Sequence, residues 1–145
     1  SGLCKIKEKK KGKLLLGNLN SKRDWGHAKD YCFAMWKILQ QKKPDDFVIA
    51  TGIQYSIEQF INKVAKKLNM KIYWKGKGIK QKGYDKNGNI IIECHKNYFR
   101  PLDVNKLLGN SKKARKILKW KPKYDINSLI EEMISYELSI LNNDQ

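Results

Sequence analysis

Arginine is almost missing from this chain. Its 145 residues include 28 lysines and three arginines against 14 acidic residues, a net charge of +17. Proline is scarce, at three residues. Cysteine is scarce and odd in number, with Cys4, Cys32 and Cys94 in no metal-type spacing, which argues against a disulfide framework or a zinc cluster. No apolar run approaches the length of a membrane-spanning helix, no signal-peptide pattern opens the chain and no Asn-x-Ser/Thr sequon occurs. The expected setting is the cytoplasm, with no membrane partner. Also absent is a G-x-G-x-x-G or G-x-x-G-x-x-G turn, so the chain lacks the phosphate cradle of a dinucleotide-binding unit.

What is present suffices for one domain. An apolar share of 41% builds a core of ordinary size, and no repeat, linker or internal boundary interrupts residues 1–145. The positive charge admits a nucleic-acid-binding module as one reading. Against it, the lysines are spread along the whole chain rather than gathered into a stripe interleaved with exposed aromatics. A lysine and asparagine excess also follows from an AT-rich coding bias. Nucleic acid is therefore the disfavoured partner.

The pattern predicts an α/β chain. Residues 1–11 read as the end of a helix cut from something longer, stopped at Gly12. Leu14-Leu15-Leu16 is a strand, residues 17–26 a polar turn, and residues 27–41 a helix apolar over most of its surface. Such a helix is expected to be buried on several sides, with Cys32 as a small core residue, and calls for a further layer of protein. Phe47 to Ala50 reads as a strand ending at Thr51-Gly52. Ser56-Ile57-Glu58-Gln59 is a capping box opening a one-sided amphipathic helix to Leu68. Lys71 to Trp74 is a strand with Ile72 and Trp74 on one face. Residues 75–89 form a Gly/Lys lid-like or interface loop with an Asn87-Gly88 turn, and Ile90 to Cys94 is a strand. Ser111 is expected to cap a short helix broken at Trp120-Lys121-Pro122, and Asp125 to cap the last one.

One stretch gathers the chemistry. From Gly17-Asn18 to Tyr31, a strand end, a turn with the pair Lys22-Arg23 and a helix start follow in succession. Backbone N–H groups at a helix start together with an arginine fork suit a phosphate; a surface turn with incidental charge is the alternative. Arg23 and Arg100 both fall in turns, whereas Arg115 lies on a lysine-rich helix and is expected at the surface. Asp24 is read as a turn hydrogen-bonding residue, Trp25 as a packed ring and His27 as a helix-start residue orienting backbone. Cys94 and His95, adjacent on a strand, point to opposite faces and form no site.

The run LGNLNSKRDWGHAKDY at residues 16–31 closely resembles the GDP-mannose 4,6-dehydratases, extended members of the short-chain dehydrogenase/reductase group. Four further segments fit in order. They are Val48 to Gly52; Trp74 to Gly78 with Gly83-Tyr84-Asp85; Tyr98-Phe99-Arg100-Pro101; and Leu107-Leu108-Gly109 with Trp120-Lys121-Pro122-Lys123. The match covers nearly the whole chain but only the C-terminal part of such an enzyme. The resemblance implies the substrate-binding part of an extended Rossmann-type sugar dehydratase whose N-terminal part binds NADP. It implies that the intact enzyme, a homodimer or homotetramer, converts GDP-mannose to GDP-4-keto-6-deoxymannose. Hydride leaves C4 for NADP, water is eliminated across C5 and C6, and hydride returns to C6.

Carried over residue by residue, Arg23 and Arg100 flank the pyrophosphate, Asp103 holds the ribose hydroxyls where the family usually has glutamate, and Leu16, Gly17 and Asn18 line the nucleotide pocket. The group's catalytic Tyr-x-x-x-Lys has no counterpart: Tyr98 is followed by Leu102, and Tyr73 reaches Lys77 only across a glycine-rich loop. No catalytic, cofactor-binding or metal-binding residue is expected here. A related epimerase or reductase half, and a non-functional gene remnant, are the other readings.

Overall fold

The computed structural model describes residues 2–9, 12–100 and 107–143. Among these residues, two sheets and five α-helices run in the order α1 (Gly2–Lys9), β1 (Leu14–Leu16), β2 (Lys22–Asp24), α2 (Ala28–Leu39), β3 (Gln54–Ser56), α3 (Ile57–Lys67), β4 (Tyr73–Lys75), β5 (Lys82–Tyr84), β6 (Ile90–Cys94), α4 (Lys112–Ile117) and α5 (Ile126–Asn143). The larger sheet has the order β1-β6-β5-β4, and β2 and β3 form a separate two-stranded ribbon. β1 lies parallel to β6, and every other pairing is antiparallel.

Local chemistry sets most boundaries. α3 starts on a complete capping box: Ser56 Oγ accepts from the Gln59 N–H at 3.1 Å, and Gln59 Oε1 accepts from the Ser56 N–H at 2.8 Å. Asp125 Oδ1 accepts from the Ser128 N–H at 2.8 Å and opens α5. Gly12, at φ +115°, ends the α1 connection in a conformation that side chains disfavour. The cap at Ser111 differs from expectation. Asn110 Oδ1 takes the Lys112 N–H, and the Ser111 hydroxyl accepts from Arg115 Nε instead.

The main core joins α1, α3 and β6 through Leu3, Cys4, Ile61, Ala65, Leu68, Ile92 and Cys94, with Ile134, Leu138 and Leu141 of α5 packed against it. On β4, Trp74 covers Gly83 of the neighbouring strand, where a side chain would collide with it, and its indole donates to Asn62 of α3. A second cluster centres on Trp120, 1% exposed, with Ala34, Ala114 and Leu118. Its indole N–H donates to the Asp30 carbonyl at 3.0 Å. The buried Asp30 carboxylate accepts the N–H groups of Lys123 and Tyr124, each at 3.0 Å. One acidic residue in the first turn of α2 thus ties that helix to the segment leading into α5.

Several expectations change. The polar turn at 17–26 contains β2, which pairs with β3 through Arg23 opposite Tyr55. The run 47–50 forms no strand among the described residues, and the strand lies later at 54–56. Residues 75–89, expected as a lid-like or interface loop, hold a short 3-10 turn, Gly78–Lys80, and β5, an inner strand of the larger sheet. The Asn87-Gly88 turn does join β5 to β6. Cys32 is exposed rather than core, because α2 rests on its Ala34 and Ile38 side. The same helix leaves Phe33, Met35, Trp36 and Leu39 between 50% and 80% exposed, so its apolar surface is covered on one side only.

The parallel pair β1/β6 positions the candidate site. Both strands end at the same edge, Leu16 opposite Cys94, and the His95 N–H extends the ladder by donating to the Leu16 carbonyl at 2.8 Å. The chain then turns back on itself, the Tyr98 and Phe99 N–H groups both donating to the His95 carbonyl. This turn lays the Tyr98 carbonyl against Gly17, where an added Cβ would overlap the carbonyl oxygen. Because the colliding atom is backbone, Gly17→Ala is expected to cost about 2 kcal/mol, read as a lowered urea midpoint with unchanged slope.

A second expectation concerns acid. Glu93 on β6 accepts from Lys13 at 2.5 Å and from Lys82 at 3.0 Å, and these ammonium groups hold its carboxyl at about 2, below the ordinary 4.5. A lowered carboxyl pKa stabilises the fold above 4.5 and loses that contribution as pH falls toward 2. Glu93→Gln is therefore expected to flatten the decline of the urea midpoint across that window. Parallel profiles for the two proteins would show that the pairing contributes nothing.

Candidate functional site

Three of the candidate residues, Leu16, Gly17 and Asn18, lie at or just beyond the carboxyl end of β1, beside that of β6, and open α/β sheets commonly take ligands at this edge. Leu16 is the last residue of β1 and is half-buried. Gly17 makes the close approach to the Tyr98 turn. Asn18 closes the bend, its Oδ1 accepting from the Asn20 N–H at 3.0 Å and its carbonyl from the Ser21 N–H at 3.4 Å. Arg100 is exposed and follows the turn that touches Gly17. The structure therefore brings Leu16, Gly17 and Asn18 beside the segment that carries Arg100. Arg23 sits at the centre of β2, on the ribbon that leaves the Asn18–Ser21 bend, and its Nη1 donates to the Lys22 carbonyl at 2.8 Å. Asp103 lies outside the described residues.

The helix starts near these residues are already engaged. Of the first-turn N–H groups of α3, those of Ile57 and Glu58 donate to the Ser21 and Leu19 carbonyls at 3.2 and 3.0 Å. At α2, His27 Nδ1 accepts from the Lys29 N–H at 3.1 Å, which leaves the ring proton on Nε2 to be donated to Glu132 at 3.0 Å. Lys29 also bonds Glu132, and the hydrogen bonds from Lys29 first and His27 second lower that carboxyl's pKa. The helix N-terminus suggested by the sequence as an anion cradle is thus capped by its own side chains. The arginines remain as the candidate partners for an anion.

The remaining residues of the stretch have structural duties. Asp24 clamps the 51–52 turn: Oδ1 accepts from the Thr51 N–H at 3.1 Å and hydroxyl at 2.6 Å, and Oδ2 from the Gly52 N–H at 2.7 Å. Trp25 stacks on Phe60 at 4.3 Å. Gly26 is adjacent to the Tyr31 hydroxyl, whose pKa is raised by burial and, secondarily, by the Asp24 and Asp30 carboxylates. Arg115 is exposed, as expected, yet its Nη2 donates to the Thr51 carbonyl at 2.9 Å and fastens the same turn from α4. His95 was read only as a strand neighbour of Cys94. Its carbonyl and Nδ1 organise the turn before Arg100, the latter accepting from the Asn97 N–H at 3.3 Å. Its place directly after β6 was the available signal. Among the described residues no group of three or more His, Cys, Asp or Glu side chains could hold a metal, and no helix is long and apolar enough to cross a membrane.

Comparison with known proteins identifies the family and the fold. A family model described as GDP-mannose 4,6 dehydratase matches residues 1–133. The GDP-mannose 4,6 dehydratase of Dictyostelium discoideum is 45% identical over 131 residues, covering 90% of this chain and 37% of the relative. GDP-mannose 4,6 dehydratase 2 of Caenorhabditis elegans is 42% identical over 142 residues, covering 98% and 37%. The chain thus spans little more than a third of these relatives' length. In fold it resembles RMD of Pseudomonas aeruginosa complexed with NADPH, with a TM-score of 0.69, 15% identity and coverage of 92% of this chain and 38% of that one. The dTDP-glucose 4,6-dehydratase of Bacillus anthracis in complex with NAD gives a TM-score of 0.69 at 19% identity, covering 94% and 38%. With the family model matching most of its length, the chain belongs to the GDP-mannose 4,6 dehydratase family.

Proposed function

We propose that this chain is the substrate-binding portion of a GDP-mannose 4,6-dehydratase of the cytoplasm and that it holds the GDP moiety. The intact enzyme converts GDP-mannose to GDP-4-keto-6-deoxymannose and water. The observation that carries the reading is the shared edge of β1 and β6, where the Gly17-Asn18 bend packs against the turn before Arg100. Arg23 and Arg100 offer planar forks to the two phosphates. Leu16, Gly17 and Asn18 line the nucleotide, and Asp103 accepts from the ribose hydroxyls.

The chain's own residues do not fit a dinucleotide. β1 leads through Gly17 into a bend and a ribbon strand rather than into a helix, so no helix N-terminus faces a pyrophosphate there. We assign NADP and the hydride chemistry to the other part of the enzyme. The exposed apolar residues of α2 supply the face on which that part packs. By this reading the 145-residue chain alone performs no sugar dehydration, and the intact protein is a homodimer or homotetramer.

Calorimetric titration tests the nucleotide site. GDP is expected to bind more tightly than ADP, and Arg23→Ala and Arg100→Ala each to weaken GDP by roughly 10- to 100-fold, the range for a lost charge-assisted hydrogen bond. Equal binding of GDP and ADP, unaffected by either substitution, would overturn the reading. Nucleic-acid affinity that collapses steeply with salt would favour the nucleic-acid alternative.

A further inference from the structure

A histidine holds the turn that leads to Arg100 in the way an asparagine ordinarily would. His95 Nδ1 accepts from the Asn97 N–H at 3.3 Å, a side chain bonding the backbone two residues on. Asn18, Asp85 and Asn110 make the same bond through Oδ1 to the N–H groups of Asn20, Asn87 and Lys112, at 3.0, 2.8 and 3.1 Å. Such turns belong to asparagine and aspartate because their short side chains reach their own backbone. An imidazole can replace them because Nδ1, like Oδ1, is bonded to Cγ and has the same reach. His27 does this at the start of α2, where Nδ1 takes the Lys29 N–H at 3.1 Å.

The replacement has a chemical consequence. An amide or carboxylate oxygen accepts a hydrogen bond across neutral pH, whereas Nδ1 accepts only while it carries no proton. The His95 ring in this turn is therefore neutral, with its proton on Nε2. Protonation would set two donors, Nδ1–H and the Asn97 N–H, against each other and remove the bond.

What hangs on that bond is short and close to the candidate edge. The His95 N–H continues the β1/β6 ladder to the Leu16 carbonyl, and the His95 carbonyl takes the Tyr98 and Phe99 N–H groups. The bond from Asn97 ties the ring into the same loop. Arg100 follows directly and is exposed. On the ring's own segment, Glu93 is bonded to Lys13 and Lys82, Cys94 is buried and Lys96 is exposed. The Tyr98 ring lies 6.0 Å from the imidazole, tilted by 54°. Across the edge, β1 ends in Leu15, Leu16 and Gly17, none of which titrates, and the 3-10 turn beside β6 carries Lys80.

On the nucleotide reading above, we infer that His95 is a positioning residue for Arg100. Its neutral imidazole, standing in for an asparagine, closes the turn that aims the guanidinium at the diphosphate. Calorimetric titration of the 145-residue protein with GDP tests this, at about pH 8, where an imidazole is neutral. His95→Ala is expected to weaken GDP by roughly two- to tenfold, the range for one net hydrogen bond. His95→Asn restores an acceptor at the same reach and is expected to bind within about twofold of the unsubstituted protein. In an Arg100→Ala background, His95→Ala is expected to cause no further loss, because its effect runs through Arg100. NMR reads the turn itself. The Asn97 amide is expected to shift with pH in step with the His95 ring, and to stop doing so in His95→Asn. His27, the second of two histidines, is present in every variant and drops out of the comparison. His95→Leu, apolar and closer in size, replaces His95→Ala should truncation unfold the protein.

Equal GDP affinity in the unsubstituted protein and both His95 variants would overturn the inference and leave the nucleotide reading standing. So would a His95→Asn protein as weak as His95→Ala, an additive loss in the Arg100→Ala background, or an Asn97 amide indifferent to the ring's titration. Absence of GDP binding by the unsubstituted protein would overturn the nucleotide reading and this inference with it.

Discussion

The backbone contact between Gly17 and the Tyr98 carbonyl is the constraint on which the site depends. It exists because β1 and β6 run parallel and end together, and because the His95 N–H adds one more bond to the Leu16 carbonyl beyond the strand. Two segments far apart in sequence are thereby pressed together with no side chain between them. A glycine is required at that point by a neighbouring carbonyl rather than by an unusual φ, since Gly17 is not among the positive-φ residues. The stretch after β1 and the stretch after β6 are thereby brought to the same edge of the sheet.

Much of the chain's polar chemistry goes into holding this arrangement. Asp24 takes three bonds from the 51–52 turn, Arg115 holds the same turn by the Thr51 carbonyl, and the Leu19 and Ser21 carbonyls receive the first N–H groups of α3. Asp30 does similar work on the other side of α2, where a buried carboxylate with two backbone partners anchors the entry to α5. The acidic residues Asp24 and Asp30 are thus spent on backbone donors. Arg115, one of three arginines against 28 lysines, likewise gives a guanidinium N–H to a backbone carbonyl.

The local devices were legible. The capping box at Ser56, the cap at Asp125, the helix-start role of His27, the Asn87-Gly88 turn and the ring packing of Trp25 each depend on residues within a few positions or on one aromatic side chain. The Gly17-Asn18 bend and the segment of Arg100 were singled out through the family resemblance alone, and their contact through the Tyr98 carbonyl is visible only in the structure. Three-residue strands such as β2, β3 and β5 carry too few side chains to show an alternation, so their pairing was not visible. The apolar run 47–50 looked like a strand because composition reports burial, while a strand requires a partner backbone as well.

The sequence by itself determined the family, the helix caps, the hairpin turn and the residues to suspect at the site, because each is written in contiguous residues whose chemistry acts over one turn or one bend. Tertiary structure alone decided that α2 leaves Cys32, Phe33, Met35, Trp36 and Leu39 uncovered, that β2 pairs with β3, and that Gly17 meets Tyr98. Those outcomes depend on which distant surface arrives, and an amphipathic pattern records that a face is apolar without recording what covers it.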